Sequence, residues 1–313
     1  MKIQTQNHTY KNRKFKKHNY TKKQKQKIAD KIYTLTEKDV LEDFNKLREI
    51  GCKYHKDLSI IGNKVVNKFT LVERLNSKGK QNVSFYDLYY NRNNFKNKSF
   101  VKKMVEFYKQ HRKNYDDAKI FFRISNLYYS AISIFKPLIA MKIYCLYKPT
   151  SILDFTMGWG GRLVGACALD IPNYIGIDSN MNLREPYNKM TNFLKKHSKT
   201  NIDLYFQDSL EMDYSKLNYD MVLTSPPYYN TEIYGSNDKK TKEQWEKEFY
   251  IPIFERTFKY LKKGGYYCLN IPKEVYDNVA IKVLGKPSRK ILLPKSKRTS
   301  SEKYEEFIYV WKK

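Results

Sequence analysis

The chain is short of negative charge. Its 313 residues carry 32 Asp and Glu against 60 Lys and Arg, a formal charge of +28. Cysteine is sparse as well: Cys52, Cys145, Cys167 and Cys268 are scattered, with no Cys-x-x-Cys or Cys/His cluster. That spacing points to neither a zinc site nor a disulfide framework. No apolar run is long enough to span a bilayer, and no charged-then-apolar leader opens the chain. The expectation is a soluble intracellular protein, cytoplasmic or associated with a nucleoid or nucleus, with no membrane partner. A Gly-Lys-Ser/Thr phosphate loop is missing, so ATP hydrolysis has no support.

What is present is a positive charge far beyond the needs of solubility. Charge on this scale attracts polyphosphate chains by counterion release, an attraction that weakens with salt. Nucleic acid is the default partner, ahead of an acidic membrane surface, although a codon bias toward Lys, Asn, Ile and Tyr would also raise the charge. The 28 Tyr and 17 Phe suit base stacking, while most of them serve an ordinary core. An apolar fraction of 41% supports one large domain or two modest ones.

Residues 1–28 are polar and Lys-rich without apolar periodicity, and read as a disordered basic arm. Such an arm either wraps along phosphates or simply solubilises the chain. Residues 29–120 read as a mainly helical region, the natural place for target recognition. There Ile32, Leu35, Val40, Leu41, Phe44 and Leu47 form a stripe of period 3.6, ended by Gly51. The segment from Ser77 to Asn82 is a turn-rich basic break. A strongly apolar stretch over 121–147 is expected to pack on the sheet-forming part of the chain. From 151 the rhythm becomes strand, turn, helix, with strands predicted over 151–154, 174–178, 202–207, 219–224, 266–270 and 307–311. This alternation implies an α/β fold, a mostly parallel sheet covered by helices on both faces, within a domain spanning 121–313. A basic loop over 286–303 is a second candidate for target contact.

Between the first strand and its helix lies Asp154-Phe155-Thr156-Met157-Gly158-Trp159-Gly160-Gly161. Glycines in this position let the backbone turn tightly and approach a ligand at a helix N-terminus. Acidic residues close the next two strands, Asp178 and then Asp208. A carboxylate at the second strand end can accept both hydroxyls of a ribose. Singly, each Asp reads equally well as a helix cap or turn former. Nothing in this order resembles a hydride-transfer site.

The most informative stretch is Thr224-Ser225-Pro226-Pro227-Tyr228, directly after the apolar run from Tyr219. Two prolines remove two backbone donors, so the strand must stop there. The result is a stiff corner carrying a hydroxyl, carbonyl acceptors and an aromatic ring. This stretch resembles the [Asp/Asn/Ser]-Pro-Pro-[Tyr/Phe/Trp] signature of the S-adenosylmethionine-dependent DNA amino-methyltransferases, and looks most like their cytosine-N4 branch, with adenine N6 also represented.

The resemblance implies a Rossmann-like methyltransferase fold with a seven-stranded, mostly parallel sheet. It implies S-adenosylmethionine as cofactor and DNA as substrate; RNA enzymes also use such loops. In the family's pattern Asp154, Gly158 and Gly160 belong to the cofactor loop, Asp154 meeting the cofactor's amino group, and Thr156 within that loop would also bind the cofactor. The chain departs from the common Asp-Pro-Phe start, having Phe155-Thr156 instead. Asp178 would take the ribose, Asp208 the adenine amine, and Phe135, in Phe135-Lys136-Pro137, would cover the cofactor. Ser225, Pro226, Pro227 and Tyr228 would be catalytic: the Ser225 oxygen and the Pro226 carbonyl accept from the target amine while Tyr228 stacks on the base. Asn230, Glu232 and Tyr234 form either a lid or a solvated loop. Arg162 is left open between a phosphate, the cofactor carboxylate and an acidic partner. Cytosine-C5 chemistry is excluded because no Pro-Cys dipeptide occurs. RNA base N-methylation and a non-catalytic nucleic-acid-binding subunit on the same fold are the competing readings.

Overall fold

The computed structural model describes residues 16–53, 59–79, 82–96, 98–112, 114–128, 132–229, 232–233, 240–293 and 305–313. Among these, seven strands form one sheet: β1 (Ser151–Asp154), β2 (Asn173–Ile177), β3 (Asn201–Tyr205), β4 (Met221–Thr224), β5 (Tyr266–Ile271), β6 (Arg289–Leu293) and β7 (Glu306–Lys312). Their spatial order is β3-β2-β1-β4-β5-β7-β6. β7 runs antiparallel to β5 and β6, and the other neighbours are parallel. The fold is therefore the Rossmann-like α/β class.

Helices α1 (Lys22–Ile32), α2 (Glu37–Ile50), α3 (Asn63–Asn76), α4 (Phe85–Tyr90), α5 (Arg92–Lys96), α6 (Ser99–His111) and α7 (Asp117–Tyr128) precede the sheet. One sheet face is covered by α8 (Pro137–Tyr147), α9 (Gly161–Ala168) and α10 (Arg184–Leu194), the other by α11 (Lys242–Trp245), α12 (Ile251–Lys259), α13 (Lys273–Val275) and α14 (Ile281–Leu284). β1 and β4 are buried at every position, as strands covered on both faces must be. Strand pleating sends alternate residues to opposite layers. Ile152, Met221, Leu223, Cys268 and Val310 enter one core, and Leu153, Val222, Tyr267, Leu269 and Tyr309 the other.

The N-terminal helices are not a detached module. Val40, Phe44, Leu47, Val65 and Val66 of α2 and α3 share the core of α8, α9 and α10. The far half of α3, with Leu71 and Leu75, joins a separate core built from α1, α4, α6 and α7. Thr70, between these halves, has its hydroxyl 2.8 Å from the Val66 carbonyl and 3.2 Å from the Trp159 carbonyl, so α3 touches the glycine loop directly.

Several expectations need correction. The basic arm expected to reach residue 28 ends earlier: Thr21 and Gln24 form a capping box that starts α1, and Ile28, Ala29 and Ile32 are buried. Residues 1–15 lie outside the described residues. The stripe from Ile32 to Leu47 is broken because Thr36 and Asp39 form a second capping box. A boundary at 120/121 cuts through α7, whose Ala118, Ile120, Phe121 and Ile124 all lie in the N-terminal core. Cys52 and Cys145 are joined as a disulfide, 93 residues apart in sequence, linking the end of α2 to α8. The basic loop over 286–303 contains the edge strand β6, whose Arg289 and Lys290 are exposed, a common way to guard an edge. Most of the rest of that loop, from 294, lies outside the described residues. The turn-rich break after α3 supplies Lys78–Gly79, which pair antiparallel with Glu232–Ile233.

Phe44 is fully buried and packs edge-on against Phe193 of α10 at 6.0 Å. Phe44→Ala is expected to cost about 3–5 kcal/mol in denaturant unfolding. Because α2 and the sheet helices share one core, the loss should appear in a single transition. Separate melting of the N-terminal helices before the sheet would contradict this packing.

Candidate functional site

Strand order reverses between β1 and β4, and open α/β sheets bind ligands outside the carboxyl ends of strands at such a switch point. Both motifs emerge there, one from β1 and the other from β4. They are tied together by a buried polar chain. Asp154, with 0% of its surface accessible, receives Arg162 Nε at 2.6 Å and the Tyr174 hydroxyl at 2.6 Å on one oxygen, and Thr224 at 2.8 Å on the other. Since Thr224 donates its only hydrogen to Asp154, the 2.6 Å contact between the Thr156 and Thr224 hydroxyls has Thr156 as donor. Arg162 also donates to the Thr156 carbonyl. Burial alone would lower the affinity of Arg162 for its proton, but the facing Asp154 carboxylate more than offsets this and raises it. Burial likewise pushes the Tyr174 phenol well above its ordinary range and keeps it a donor.

This changes the role of Asp154. With no accessible surface and both oxygens engaged, it is not placed to meet a cofactor's amino group. It is a positioning residue that locks the glycine loop to the end of β4. It also settles Arg162, whose partner is an acid of its own chain.

Gly158 (φ +55°) and Gly160 (φ +91°) hold backbone conformations that side chains resist. A Cβ on Gly161 would fall 1.8 Å from the Phe135 carbonyl oxygen, so the segment carrying Phe135 lies directly on the first turn of α9. The Arg162 guanidinium sits 5.1 Å from the Phe135 ring centre.

Asp178 follows β2. Its two oxygens accept from the Gly158 amide at 2.8 Å and the Asn180 amide at 2.9 Å. Only half-buried by surface yet enclosed by neighbouring atoms, its carboxyl is pushed up by desolvation to about 6, with the two amide bonds opposing the shift. Each oxygen keeps a lone pair for a further donor. Asp208 is exposed beyond β3, with one oxygen capping the Leu210 amide at 2.9 Å.

The Pro-Pro corner is braced from below. Tyr250 donates to the Pro227 carbonyl and accepts from the Tyr229 amide at 3.1 Å, its phenol held above its ordinary range by burial. Ser225 donates to Asn270 Oδ1 at 3.1 Å, and the Tyr228 hydroxyl lies 3.0 Å from both Asn270 Oδ1 and Glu306 Oε1. Asn270 can turn only one way. Its Nδ2 faces Glu306 Oε1 at 2.8 Å and the Phe307 carbonyl at 3.3 Å, so its oxygen must face Ser225. Ser225 has one hydrogen and gives it to Asn270. Its lone pairs are left as acceptors.

Thr156, Gly158, Gly160, Asp178, Ser225 and Tyr228 thus gather at one end of the sheet. Phe135 borders them, Pro226 is buried within the corner, and the Pro227 carbonyl is already bonded. Asn230 and Tyr234 lie outside the described residues, and Glu232 enters only through its backbone pairing. Sequence reasoning missed Asn270, Glu306 and Tyr250. A polar Asn next to the end of the apolar strand Tyr266–Ile271, two residues before Pro272, was the available signal for the first.

No protein-family model matches the chain, and no curated protein is detectably similar in sequence. Solved structures that resemble it include a protein from Listeria monocytogenes assigned to the class I S-adenosylmethionine-dependent methyltransferases, at 16% identity, covering 87% of this chain and 88% of that one with a TM-score of 0.41. A type I restriction-modification methyltransferase subunit from Streptococcus thermophilus gives 13% identity, 92% and 83% coverage and a TM-score of 0.38. TrmN from Thermus thermophilus gives 14% identity and a TM-score of 0.38 over 56% of this chain, and the match spans 48% of TrmN's length. Likeness this distant says nothing of activity; strand order and switch point carry the fold assignment.

Asp154→Asn keeps the shape but leaves Arg162, 4% exposed, as a buried charge without its counter-ion. A loss of about 3–5 kcal/mol in denaturant unfolding is expected. Asp178 makes a pH-dependent contribution. Its folded value lies above the unfolded one, so its share of stability is fully present below the unfolded value and fades as pH rises through about 6. Thermal melts of wild type and Asp178→Asn should therefore diverge, wild type losing ground across that window. A difference that stays flat with pH would contradict it.

Proposed function

We propose that the chain is an S-adenosylmethionine-dependent methyltransferase acting on the exocyclic amine of a nucleobase in DNA, cytosine N4 or adenine N6. The observation that carries this reading is the acceptor-only Ser225 oxygen, fixed by Asn270 and joined to the glycine loop through Thr224 and Thr156. An aromatic amine is a weak nucleophile because its lone pair is delocalised into the ring. Acceptors aimed at its hydrogens return density to nitrogen. Ser225 Oγ and the Pro226 carbonyl are suited to this, and the prolines at 226 and 227 present no competing N–H. Rigid backbone holds these acceptors in place before the target arrives. Tyr228, anchored through its hydroxyl, offers its ring to the base. In a duplex the target must first be extruded, at a cost of a few kcal/mol, which the positive charge of the chain helps to offset by holding the backbone.

The residues fit the cofactor. Gly158 and Gly160 give a side-chain-free turn, Asp178 keeps lone pairs for ribose hydroxyls, Asp208 is exposed for an amine donor, and Phe135 flanks the loop. When bound, S-adenosylmethionine supplies a methyl group already activated on a sulfonium, so alignment matters more than acid or base strength. No covalent nucleophile is required of the protein.

Labelled methyl transfer from S-adenosylmethionine to DNA and to RNA, followed by mass spectrometry of the nucleosides, tests the proposal. Ser225→Ala is expected to lower turnover by roughly 100-fold or more. Tyr228→Phe, which keeps the ring but loses the anchor, should be milder than Tyr228→Ala. Incorporation confined to RNA would move the assignment to an RNA base methyltransferase. Undiminished activity in Ser225→Ala, or no cofactor binding by calorimetry, would overturn the reading.

A further inference from the structure

We infer that a cavity between the N-terminal helices and the segment at 132–134 holds a nucleotide of the substrate strand, with its phosphate on Arg74; this rests on the nucleic-acid substrate proposed above. The cavity has a volume of about 210 Å³, and its walls include Asn63 and Arg74 of α3 and the rings of Tyr33, Phe85 and Phe122. A single trapped water needs only about 10–15 Å³, so this is room for a ligand.

Arg74 is 7% exposed. One end of its guanidinium donates to Asn67 Oδ1 at 2.5 Å, while the other, Nη1, is buried with no hydrogen-bond partner among the described residues. Desolvation pulls the group down to about 10, with no carboxylate to support its charge. A buried cation left in this state is costly unless an anion completes it. Asn63 Oδ1, on the same wall, is a buried acceptor that also lacks a donor among the described residues. A ligand that completes both groups would bring an anion and a hydrogen-bond donor together. A nucleotide has both, as phosphate and as base amine or sugar hydroxyl, and its base is a planar group for the aromatic walls.

The position agrees with a strand passing the proposed site. Ile134 lines the cavity and lies 3.4 Å from where a Gly161 Cβ would stand. Ser77 lines it too and leads into Lys78–Gly79, which pair with Glu232–Ile233 just after the Pro-Pro corner. Ile134 and Ser77 are thus the residues through which the cavity connects to the two halves of the site.

The experiment uses the full chain with three probes: a single-stranded DNA oligonucleotide, deoxycytidine monophosphate and S-adenosylhomocysteine. In Arg74→Gln, oligonucleotide affinity should fall about tenfold or more, and the slope of log affinity against log salt should drop by about one. Affinity for S-adenosylhomocysteine should not change. Asn63→Asp, which sets a carboxylate on the cavity wall to repel phosphate, should give the same loss, with thermal melts confirming the fold of both variants. A folded Arg74→Gln protein with wild-type oligonucleotide affinity would make Arg74 purely structural and overturn the inference. A loss confined to S-adenosylhomocysteine would assign the cavity to the cofactor's carboxylate, and one confined to the mononucleotide would assign it to a free metabolite; either overturns it. If wild type fails to bind S-adenosylhomocysteine while the oligonucleotide loss persists, the methyltransferase reading falls and the nucleotide site stands.

Discussion

A carboxylate and a guanidinium sealed inside the seam of a sheet hold this architecture together. Asp154 and Arg162 have almost no access to water, and their desolvation is answered by hydrogen bonds from Tyr174 and Thr224. A buried pair of this kind adds little net stability over an apolar substitute. Its value here is geometric. It fastens β1, β2, β4 and the start of α9 to one another, and through the Thr224–Thr156 contact it sets the distance between the two loops that leave the paired strands β1 and β4.

The corner after β4 depends on a second network with a different logic. Nothing in a serine hydroxyl decides whether it donates or accepts; its surroundings do. Glu306 and the Phe307 carbonyl orient Asn270, and Asn270 then orients Ser225. Three strands, β4, β5 and β7, contribute to that decision. The prolines remove backbone donors from the same corner, and Tyr250 pins it from beneath. The arrangement is settled before any ligand is present, which is what pre-organised stabilisation requires.

Much of this was legible in the chain. The buried runs of β1, β4 and β5 have no competing assignment, and two prolines can only end a strand. Features that depend on distant partners were not legible. The Cys52–Cys145 pairing joins residues that no spacing rule connects. β6 hides in a stretch of basic residues because an edge strand tolerates charge on its open side. Asp154 has the position of a ligand-binding carboxylate, and only its total burial against Arg162 shows otherwise. Asn270 and Glu306 are ordinary polar residues until the sheet sets them beside Ser225. A Lys-rich helix shows few apolar residues before Ile28 and so passes for a disordered arm, although Thr21 and Gln24 already mark its start.

The two-residue ladder between Lys78–Gly79 and Glu232–Ile233 is small, but it stitches the front of the chain to the segment that leaves the Pro-Pro corner. The helical front half is thus not an interchangeable reader clipped onto a generic engine. A chimaera carrying foreign helices ahead of α8 would need to supply its own short strand in matching register, or Glu232–Ile233 would lose their backbone partner.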